Sequence, residues 1–260
     1  METVKNMSLL TIISINYNSK NGLQKTIESV IKQSWKDFEY IVIDGGSTDG
    51  SLEVVKNYQD YINYDISEPD NGVFNAMNKG AKAANGDYLL FLNSGDILHN
   101  DESLSKLVAQ MMQKSDSDIY YTNLLLADLE NDTERIHQCP NHLTLTYFTG
   151  SFIGHPASLI KRTVFNTMGG YSEDYHIISD WLFFVKAFLA GYTFQYIDMI
   201  LSTFFLDGVS SNGNAQHAEE VKRVYQNELS FIASDMKSLR KVNTRPYRFM
   251  EKLLSKIRTH

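Results

Sequence analysis

Cysteine and proline are scarce in this sequence, and long hydrophobic runs are missing. Cys139 is the only cysteine among 260 residues, and there are four prolines. A single cysteine excludes an intrachain disulfide and a cysteine-built zinc site, and it is typical of a reducing compartment. The N-terminal apolar run, Leu9 to Ile15, is too short for a membrane span and lacks a secretory cleavage signal. No other run reaches about 20 apolar residues, so we predict a cytoplasmic protein without a transmembrane helix.

Positive charge is also scarce until the end of the chain. The formal net charge is −7, which argues against nucleic acid as a partner. Residues 237–260 hold eight Lys or Arg and one acid, Glu251, with apolar residues near helical spacing. A basic amphipathic helix of this kind can lie on an anionic membrane surface at the inner face. A solvated terminal helix packed on the domain, or a disordered tail, is the alternative.

Strand and helix patterns alternate over the first 95 or so residues. Buried-strand runs occur at Leu10 to Ile15, Phe38 to Ile43, Tyr61 to Ile66 and Tyr88 to Leu92. Apolar residues at helical spacing separate them, as at Leu23, Ile27, Val30 and Ile31. This alternation predicts an α/β fold with a parallel sheet and helices on its faces.

The back half of the chain is mixed. Strand-like runs at 119–122, 157–160, 194–197 and 200–205 accompany a predicted hairpin over 124–136. Trp181, Phe184, Val185 and Phe188 form a helical face that Gly191 closes, and 218–232 predicts another helix. A substrate site between two such halves is a common arrangement.

Acidic and amide side chains follow the predicted parallel strands. Asn93, Ser94 and Asp96 come after the run Tyr88 to Leu92, and Asp44 ends the second strand. Ligands of open α/β sheets bind at this edge, where a carboxylate can hold a divalent cation or a nucleoside hydroxyl. Gly45 and Gly46 allow a close backbone approach. The alternative is that these residues only form turns and helix caps.

Three further segments carry candidate residues. Asp70 lies in a turn before a helix, and Lys79, two helical turns after Gly72, could neutralise a phosphate. Asp180 opens the aromatic helix, where it could cap that helix or take a proton from an attacking hydroxyl. His155 is a further candidate in the same half, although a lone histidine is more often structural or a substrate contact than a base.

Several common catalytic motifs are missing. The sequence has no Gly-x-Ser-x-Gly elbow, phosphate-binding loop or paired-histidine zinc helix. A Gly-x-Gly-x-x-Gly fingerprint after the first strand is also missing, which argues against an NAD enzyme.

Four stretches, taken in this order, resemble the inverting, nucleotide-sugar-dependent glycosyltransferases of GT-A fold, the bacterial surface-polysaccharide type of glycosyltransferase family 2. The resemblance runs from Leu9 to about Phe205. The stretches are LLTIISINYN at 9–18, FEYIVIDGGSTDGS at 38–51, EPDNGVFNAMNKGAKAANGDYLLFLNSGD at 68–96 and SDWLFFVKAFLAGY at 179–192. The resemblance implies a Rossmann-like, mixed, mostly parallel sheet flanked by helices.

The resemblance also implies roles for individual residues. Asp44 would hold the nucleobase in a pocket that Tyr17 lines, and Asp180 would be the catalytic base. The family's Asp-x-Asp metal motif aligns with Asn93 and Gly95, a departure, so Asp96 is the expected ligand for Mn²⁺ or Mg²⁺. The other expected contacts with the nucleotide sugar are Gly46, Asp70, Lys79, Asn93 and Ser94, and the acceptor-side candidates are His155 and Trp181.

These observations predict one glycosyltransferase domain over residues 1–236, followed by the tail. Its nucleotide-binding half would span about 8–96 and its acceptor-binding half about 97–236. The expected reaction moves one sugar from a nucleotide-diphosphate-sugar, a UDP-sugar by preference, to a saccharide or lipid-linked acceptor. The absence of the Gln-x-x-Arg-Trp signature of processive synthases indicates a single addition. A non-catalytic domain that binds a nucleotide sugar or a partner enzyme is one alternative, and a nucleotidyltransferase is another.

Overall fold

Nine strands form one sheet with helices on both of its faces in the computed structural model, which describes residues 8–206 and 214–242. The strands are β1 Leu10–Asn16, β2 Phe38–Asp44, β3 Tyr64–Ser67, β4 Tyr88–Phe91, β5 Ile97–Leu98, β6 Ile119–Asp128, β7 Thr133–His137, β8 Ser158–Lys161 and β9 Phe194–Phe205. The α-helices are α1 Lys20–Ile31, α2 Ser51–Asn57, α3 Val73–Ala83, α4 Ser103–Met111, α5 Leu145–Phe148, α6 Arg162–Thr167, α7 Ser179–Leu189, α8 Asn214–Asn227 and α9 Ala233–Val242.

The strand order is β3-β2-β1-β4-β8-β6-β9-β5, and β7 pairs with β6. The strands β3, β2, β1 and β4 are all parallel to one another. Beyond them, β8 is antiparallel to both neighbours, β6 and β9 are parallel, and β5 and β7 are antiparallel additions. Parallel pairing accounts for most of the paired residues, so the predicted mixed, mostly parallel α/β sheet flanked by helices is confirmed.

Both faces of the sheet are buried, which is why its central strands are continuously apolar. Neighbouring residues of β1 point to opposite faces: Ile12 packs with Leu23 and Ile27 of α1, and Ile13 packs with Met77 of α3. A fully buried aliphatic side chain contributes about 1.5–3 kcal/mol. The helices are therefore held by their apolar faces, and the polar ends of the strands remain available for a site.

The C-terminal ends of β1, β2 and β4 lie at one edge. Asn16, the last residue of β1, pairs in register with Asp44, the last residue of β2. The N–H of Ser94 donates to the carbonyl oxygen of Ile15 at 2.9 Å, so the turn after β4 reaches the same edge. This edge is where parallel sheets of this type bind ligands.

Some element boundaries differ from the sequence-based predictions. The two strands predicted over 194–205 are one strand, β9, because β9 bulges opposite Asn123 of β6 and takes up the polar residue between them, Asp198. Asp198 is satisfied inside the strand, since Tyr196 donates to it at 2.9 Å and Asn123 at 3.2 Å. The third strand begins at Tyr64, and Tyr61 belongs to a short 3-10 helix instead. The sequence reasoning did not identify β5 and α4.

The predicted C-terminal tail is only partly described. Residues 237–242 belong to α9. The remaining residues, 243–260, lie outside the described part of the chain, and so does most of the predicted basic amphipathic helix. Within the described residues, no helix has the length and apolar character needed to cross a membrane.

Candidate active site

The carboxylate of Asp44 organises the turn that follows β2. Its Oδ1 accepts hydrogen bonds from Asn16 at 2.8 Å and from the Ser47 hydroxyl at 2.6 Å. Its Oδ2 accepts from the Ser67 hydroxyl at 2.6 Å and from the N–H groups of Gly46 at 3.1 Å and Ser47 at 2.9 Å. Asp44 is only 1% exposed. It therefore holds three strand ends together, and its contact with a nucleobase stays a prediction.

The protonation of Asp44 follows from these bonds. Burial alone would raise the pKa of the Asp44 carboxyl, but hydrogen bonds from Ser47, Ser67 and Asn16 outweigh it. The pKa therefore lies below the usual value of an aspartate, and Asp44 is ionised at neutral pH. The ionised Asp44 carboxylate is occupied by these hydrogen bonds, and it anchors the ends of β1, β2 and β3 at this edge.

Tyr17 and Asp70 stand on either side of Gly45. A Cβ atom at position 45 would lie 2.5 Å from Oδ2 of Asp70 and 3.2 Å from Cδ2 of Tyr17. Any side chain at position 45 would collide with Asp70, so glycine lets Asp70 and Tyr17 pack against the backbone at the end of β2. Tyr17 is 66% exposed, so its ring is open to solvent beside Gly45. The two residues predicted to bind the nucleotide are therefore neighbours at the end of β2.

Lys79 is engaged with its own loop. Its Nζ forms an ion pair with Glu68 at 2.8 Å and donates to the carbonyl oxygen of Pro69 at 3.2 Å. Glu68 and Pro69 directly precede Asp70, so Lys79 lies close to the predicted nucleotide pocket. A contact with phosphate would require Lys79 to exchange these partners, and its predicted role is not tested by this arrangement.

Two buried polar atoms in the turn after β4 have no hydrogen-bond partner among the described residues. They are Oδ1 of Asn93 and Oγ of Ser94. Buried polar atoms are nearly always satisfied in folded proteins, so two such oxygens at a sheet edge are suited to bind a polar group. Both residues are among those predicted to bind the nucleotide sugar.

Thr26, on the buried face of α1, anchors this turn. Its hydroxyl donates to the carbonyl oxygen of Asp96 at 2.7 Å and accepts from the N–H of Gly95 at 3.0 Å. Gly22, one helical turn earlier, allows the close approach, because a Cβ there would lie 3.1 Å from the Gly95 nitrogen. The sequence reasoning missed Thr26, whose only local signal is a polar residue among the buried positions of an amphipathic helix.

His155 lies between the turn that follows β4 and helix α7. Its Nδ1 is 3.0 Å from Oδ2 of Asp180, and its Nε2 is 3.9 Å from Oδ2 of Asp96. Nε2 also lies 3.1 Å from Nδ2 of Asn93. The structure therefore brings together four of the predicted residues, which are separated by up to 87 positions in the sequence.

Asp180 lies in α7, and helix α8 contacts the residues just before α7. The sequence reasoning did not connect α8 with Asp180. Asp180 is the second residue of α7, and its Oδ1 accepts from the N–H of Trp181 at 2.8 Å. The alternative that Asp180 is the N-cap is not found, since Ile178 occupies that position. Glu220 of α8 instead accepts from the N–H groups of His176 and Ile177, both at 2.9 Å, and from that of Ile178.

Trp181 is partly buried beside Asp180. Its Nε1 donates to the carbonyl oxygen of Phe148 in α5 at 3.1 Å, and its ring packs edge-on against Tyr225 of α8. It therefore joins α7 to α5 and α8. A direct contact with an acceptor stays a prediction.

The side chains around Asp96 suit a divalent cation that binds together with the phosphates of a substrate. Among residues 8–206 and 214–242, no cluster of three or more His, Cys, Asp or Glu residues could hold a metal alone. Asp96, however, is a buried carboxylate beside Asn93 and Ser94, whose buried oxygens lack partners. Mg²⁺ and similar ions are often held by one or two carboxylates and the phosphates of a substrate. The residues present fit such an ion.

Comparisons with known proteins agree with this architecture. The PGL/p-HBAD biosynthesis glycosyltransferase of Mycobacterium bovis is 28% identical over 189 residues, 69% of this chain and 70% of that protein. An uncharacterized glycosyltransferase of Mycobacterium tuberculosis is 30% identical over 207 residues, 78% of this chain and 77% of that protein.

Solved structures share the fold. Staphylococcus aureus TarS 1-349 in complex with UDP-GlcNAc superposes with a TM-score of 0.61 at 21% identity, over 75% of this chain and 58% of that chain. The mannosyltransferase PcManGT from Pyrobaculum calidifontis, in complex with GDP-Man and Mn²⁺, has a TM-score of 0.61 at 12% identity, over 97% and 81%. The sequence model of Glycosyl transferase family 2 matches residues 11–197. The chain therefore belongs to glycosyltransferase family 2.

Proposed function

We propose that this glycosyltransferase moves one sugar, with inversion, from a nucleotide-diphosphate-sugar to a hydroxyl of a saccharide or lipid-linked acceptor. A UDP-sugar is the favoured donor, and surface-polysaccharide synthesis at the inner membrane face is the favoured setting. The observation that carries the proposal is the contact of His155 with Asp180 on one side and with the Asn93–Asp96 turn on the other. A carboxylate of the acceptor half is thereby held beside the predicted donor site.

The structural neighbours support a nucleotide-sugar donor. TarS and PcManGT share this fold, and their structures contain UDP-GlcNAc and GDP-Man. In this chain, the exposed ring of Tyr17 beside Asp70 and the unsatisfied atoms of Asn93 and Ser94 offer a surface for such a ligand. Binding far from the reacting bond would orient the sugar for attack.

The proposed chemistry is a single displacement. Asp180 accepts the proton of the acceptor hydroxyl as its oxygen forms a bond to the anomeric carbon. The bond from that carbon to the diphosphate breaks, and its electron pair leaves on the diphosphate oxygen. Attack from the face opposite the leaving group inverts the anomeric centre. Asp96 would hold a Mn²⁺ or Mg²⁺ ion, which supplies charge neutralisation on the leaving diphosphate.

The variant Asp180→Asn tests whether Asp180 is the catalytic base. We expect sugar transfer to fall by at least about 100-fold, because an amide cannot take the proton, while nucleotide binding stays near normal. Asp174→Asn is the matched control, since Asp174 is an exposed acid six residues before Asp180. A thermal-shift screen of UDP-, GDP- and dTDP-sugars identifies the donor, because a ligand specific to the folded state raises the melting temperature.

Wild-type turnover in Asp180→Asn would show that Asp180 is not the base. A wild-type protein that binds nucleotide sugars but neither transfers nor hydrolyses them would favour the non-catalytic alternative.

A further inference from the structure

We propose that His155 is a positioning residue that fixes the Asp180 carboxylate and connects it, through Asn93, to the turn that follows β4. This inference rests on the proposed function, in which Asp180 is the base. It assigns no proton transfer to His155. The imidazole of His155 holds Asn93 and Asp180, one from each half of the domain, at a fixed separation.

The direction of each hydrogen bond follows from donor and acceptor chemistry. Nδ2 of Asn93 is 3.1 Å from Nε2 of His155, and an amide nitrogen can only donate. Nε2 is therefore the acceptor, and in the neutral ring the proton is on Nδ1. That proton points at Oδ2 of Asp180, 3.0 Å away. The two contacts together select one tautomer and one ring orientation.

The carboxylate of Asp180 is held at both oxygens. Oδ2 accepts from His155, and Oδ1 accepts from the N–H of Trp181 at 2.8 Å. Two bonds from different directions define the plane of the carboxylate, which a single bond would leave free to rotate. Each oxygen retains a second acceptor site for a hydroxyl proton.

The backbone around His155 is itself held in place. His155 begins a short 3-10 helix, and the N–H of Ala157 donates to the carbonyl oxygen of Gly154 at 3.0 Å. Ser202 of β9 donates to the carbonyl oxygen of Pro156. The His155 side chain is 12% exposed, so water competes little for its two bonds. A ring fixed in this way can fix its partners.

The arrangement gives a physical reason for asparagine at position 93. A carboxylate there has no proton to donate to Nε2, so it would instead compete with Asp180 as an acceptor for a ring proton. Asn93 thus matches His155, and the departure from an Asp-x-Asp pattern belongs to this network.

Two conservative variants separate the two bonds. The amide nitrogen of asparagine can replace Nδ1–H, so His155→Asn keeps a donor for Asp180. The longer glutamine reaches the position of Nε2, so His155→Gln keeps an acceptor for Asn93 and loses the donor. We expect kcat to fall about 100-fold in His155→Gln and to recover most of that loss in His155→Asn, with donor KM changing less than about threefold in both.

The assay measures nucleoside diphosphate released from UDP-glucose, UDP-N-acetylglucosamine, GDP-mannose or dTDP-rhamnose, using whichever donor the wild type consumes. His99→Ala is the matched control, since His99 is a half-buried histidine that contacts Thr203 outside the site. If His155→Gln and the wild type have equal kcat while Asp180→Asn is inactive, the inference about His155 is overturned and Asp180 remains the base. An active Asp180→Asn would overturn the proposed function instead.

A second readout needs no substrate. Nitrogen-15 NMR of selectively labelled histidine reports which ring nitrogen carries the proton, and loss of one signal in His155→Asn assigns it. At pH 8 we expect the proton of His155 on Nδ1. A proton on Nε2 would overturn the inference whatever the activity of the variants.

Discussion

The hydroxyl of Thr26 donates a hydrogen bond of 2.7 Å to the carbonyl oxygen of Asp96. This bond joins helix α1 to the turn that carries Asp96, the expected metal ligand. The same hydroxyl accepts from the N–H of Gly95, so one buried side chain satisfies two backbone groups of the turn.

Thr26→Val should therefore loosen the turn. Valine has nearly the same shape but no hydroxyl, and it leaves the buried N–H of Gly95 without that acceptor, at a cost of about 1–3 kcal/mol. Urea denaturation measures the loss of unfolding free energy, and calorimetry with UDP measures the effect on binding. Thr26→Ser keeps the hydroxyl and is the control. Equal stability of the valine and serine variants would contradict this role.

Glu220→Gln should destabilise the protein in a pH-dependent way. Burial would raise the pKa of the Glu220 carboxyl, but hydrogen bonds from the N–H groups of His176 and Ile177, with that of Ile178, outweigh it and lower the pKa. A lowered folded pKa means that the stabilisation is present above the ordinary carboxyl pKa of about 4.3. It is lost as the pH falls through the lower folded value.

The stability gap between wild type and Glu220→Gln should thus be about 1–3 kcal/mol at pH 7 and should narrow below about pH 4. Thermal unfolding measured from pH 3 to pH 8 checks this. Glu219→Gln is the control, because Glu219 is exposed and pairs only at the surface with Lys222. A gap that stays constant down to pH 3 would show that the charge of Glu220 is not the stabilising feature.

A divalent cation should tighten the binding of a nucleoside diphosphate. We expect Mn²⁺ to raise the affinity for UDP by about tenfold or more, because the ion neutralises charge between Asp96 and the phosphates. Calorimetry in Mn²⁺ and in chelator measures this, and Asp96→Asn should abolish the difference. Asp101→Asn, an exposed acid five residues later, should preserve it. The same affinity in chelator would refute the metal-assisted site.

Gly80→Ala should destabilise the fold even though alanine favours helices. A Cβ at position 80 of α3 would lie 2.3 Å from Cγ2 of Ile13 in β1. Overpacking of this kind costs about 1–3 kcal/mol, against a helix-propensity gain of about 1 kcal/mol. Chemical denaturation measures the net loss. Lys82→Ala, at an exposed position of the same helix, should change stability by less than about 0.5 kcal/mol.

Local patterns in the sequence were sufficient to predict the alternating strands and helices of the first 96 or so residues. Strands such as Leu10–Asn16 are short apolar runs bounded by polar turns, and the helices between them repeat apolar residues at helical spacing. Parallel strands place their C-terminal ends at one edge, so Asp44 and Asn93 could be assigned to the same region.

Contacts between distant helices and turns could not be predicted in this way. Thr26 acts on a turn about 70 residues away, and Glu220 acts on backbone groups more than 40 residues away. Neither contact follows from spacing within an element. The single strand β9 was also missed, because Asp198 reads as a strand breaker until Tyr196 and Asn123 are seen to satisfy it.

Strand β5 has a consequence for how the site is assembled. It begins immediately after Asp96, and it pairs with Ser202 and Thr203 of β9, about 100 residues further along the chain. The turn is thus held at its N-terminal end by β4, an early strand. At its C-terminal end it is held through β5 by β9, a late strand. A ribosome must synthesise β9 before that second fastening can form. The turn that carries Asn93 and Asp96 would accordingly be among the last regions of the nascent protein to mature.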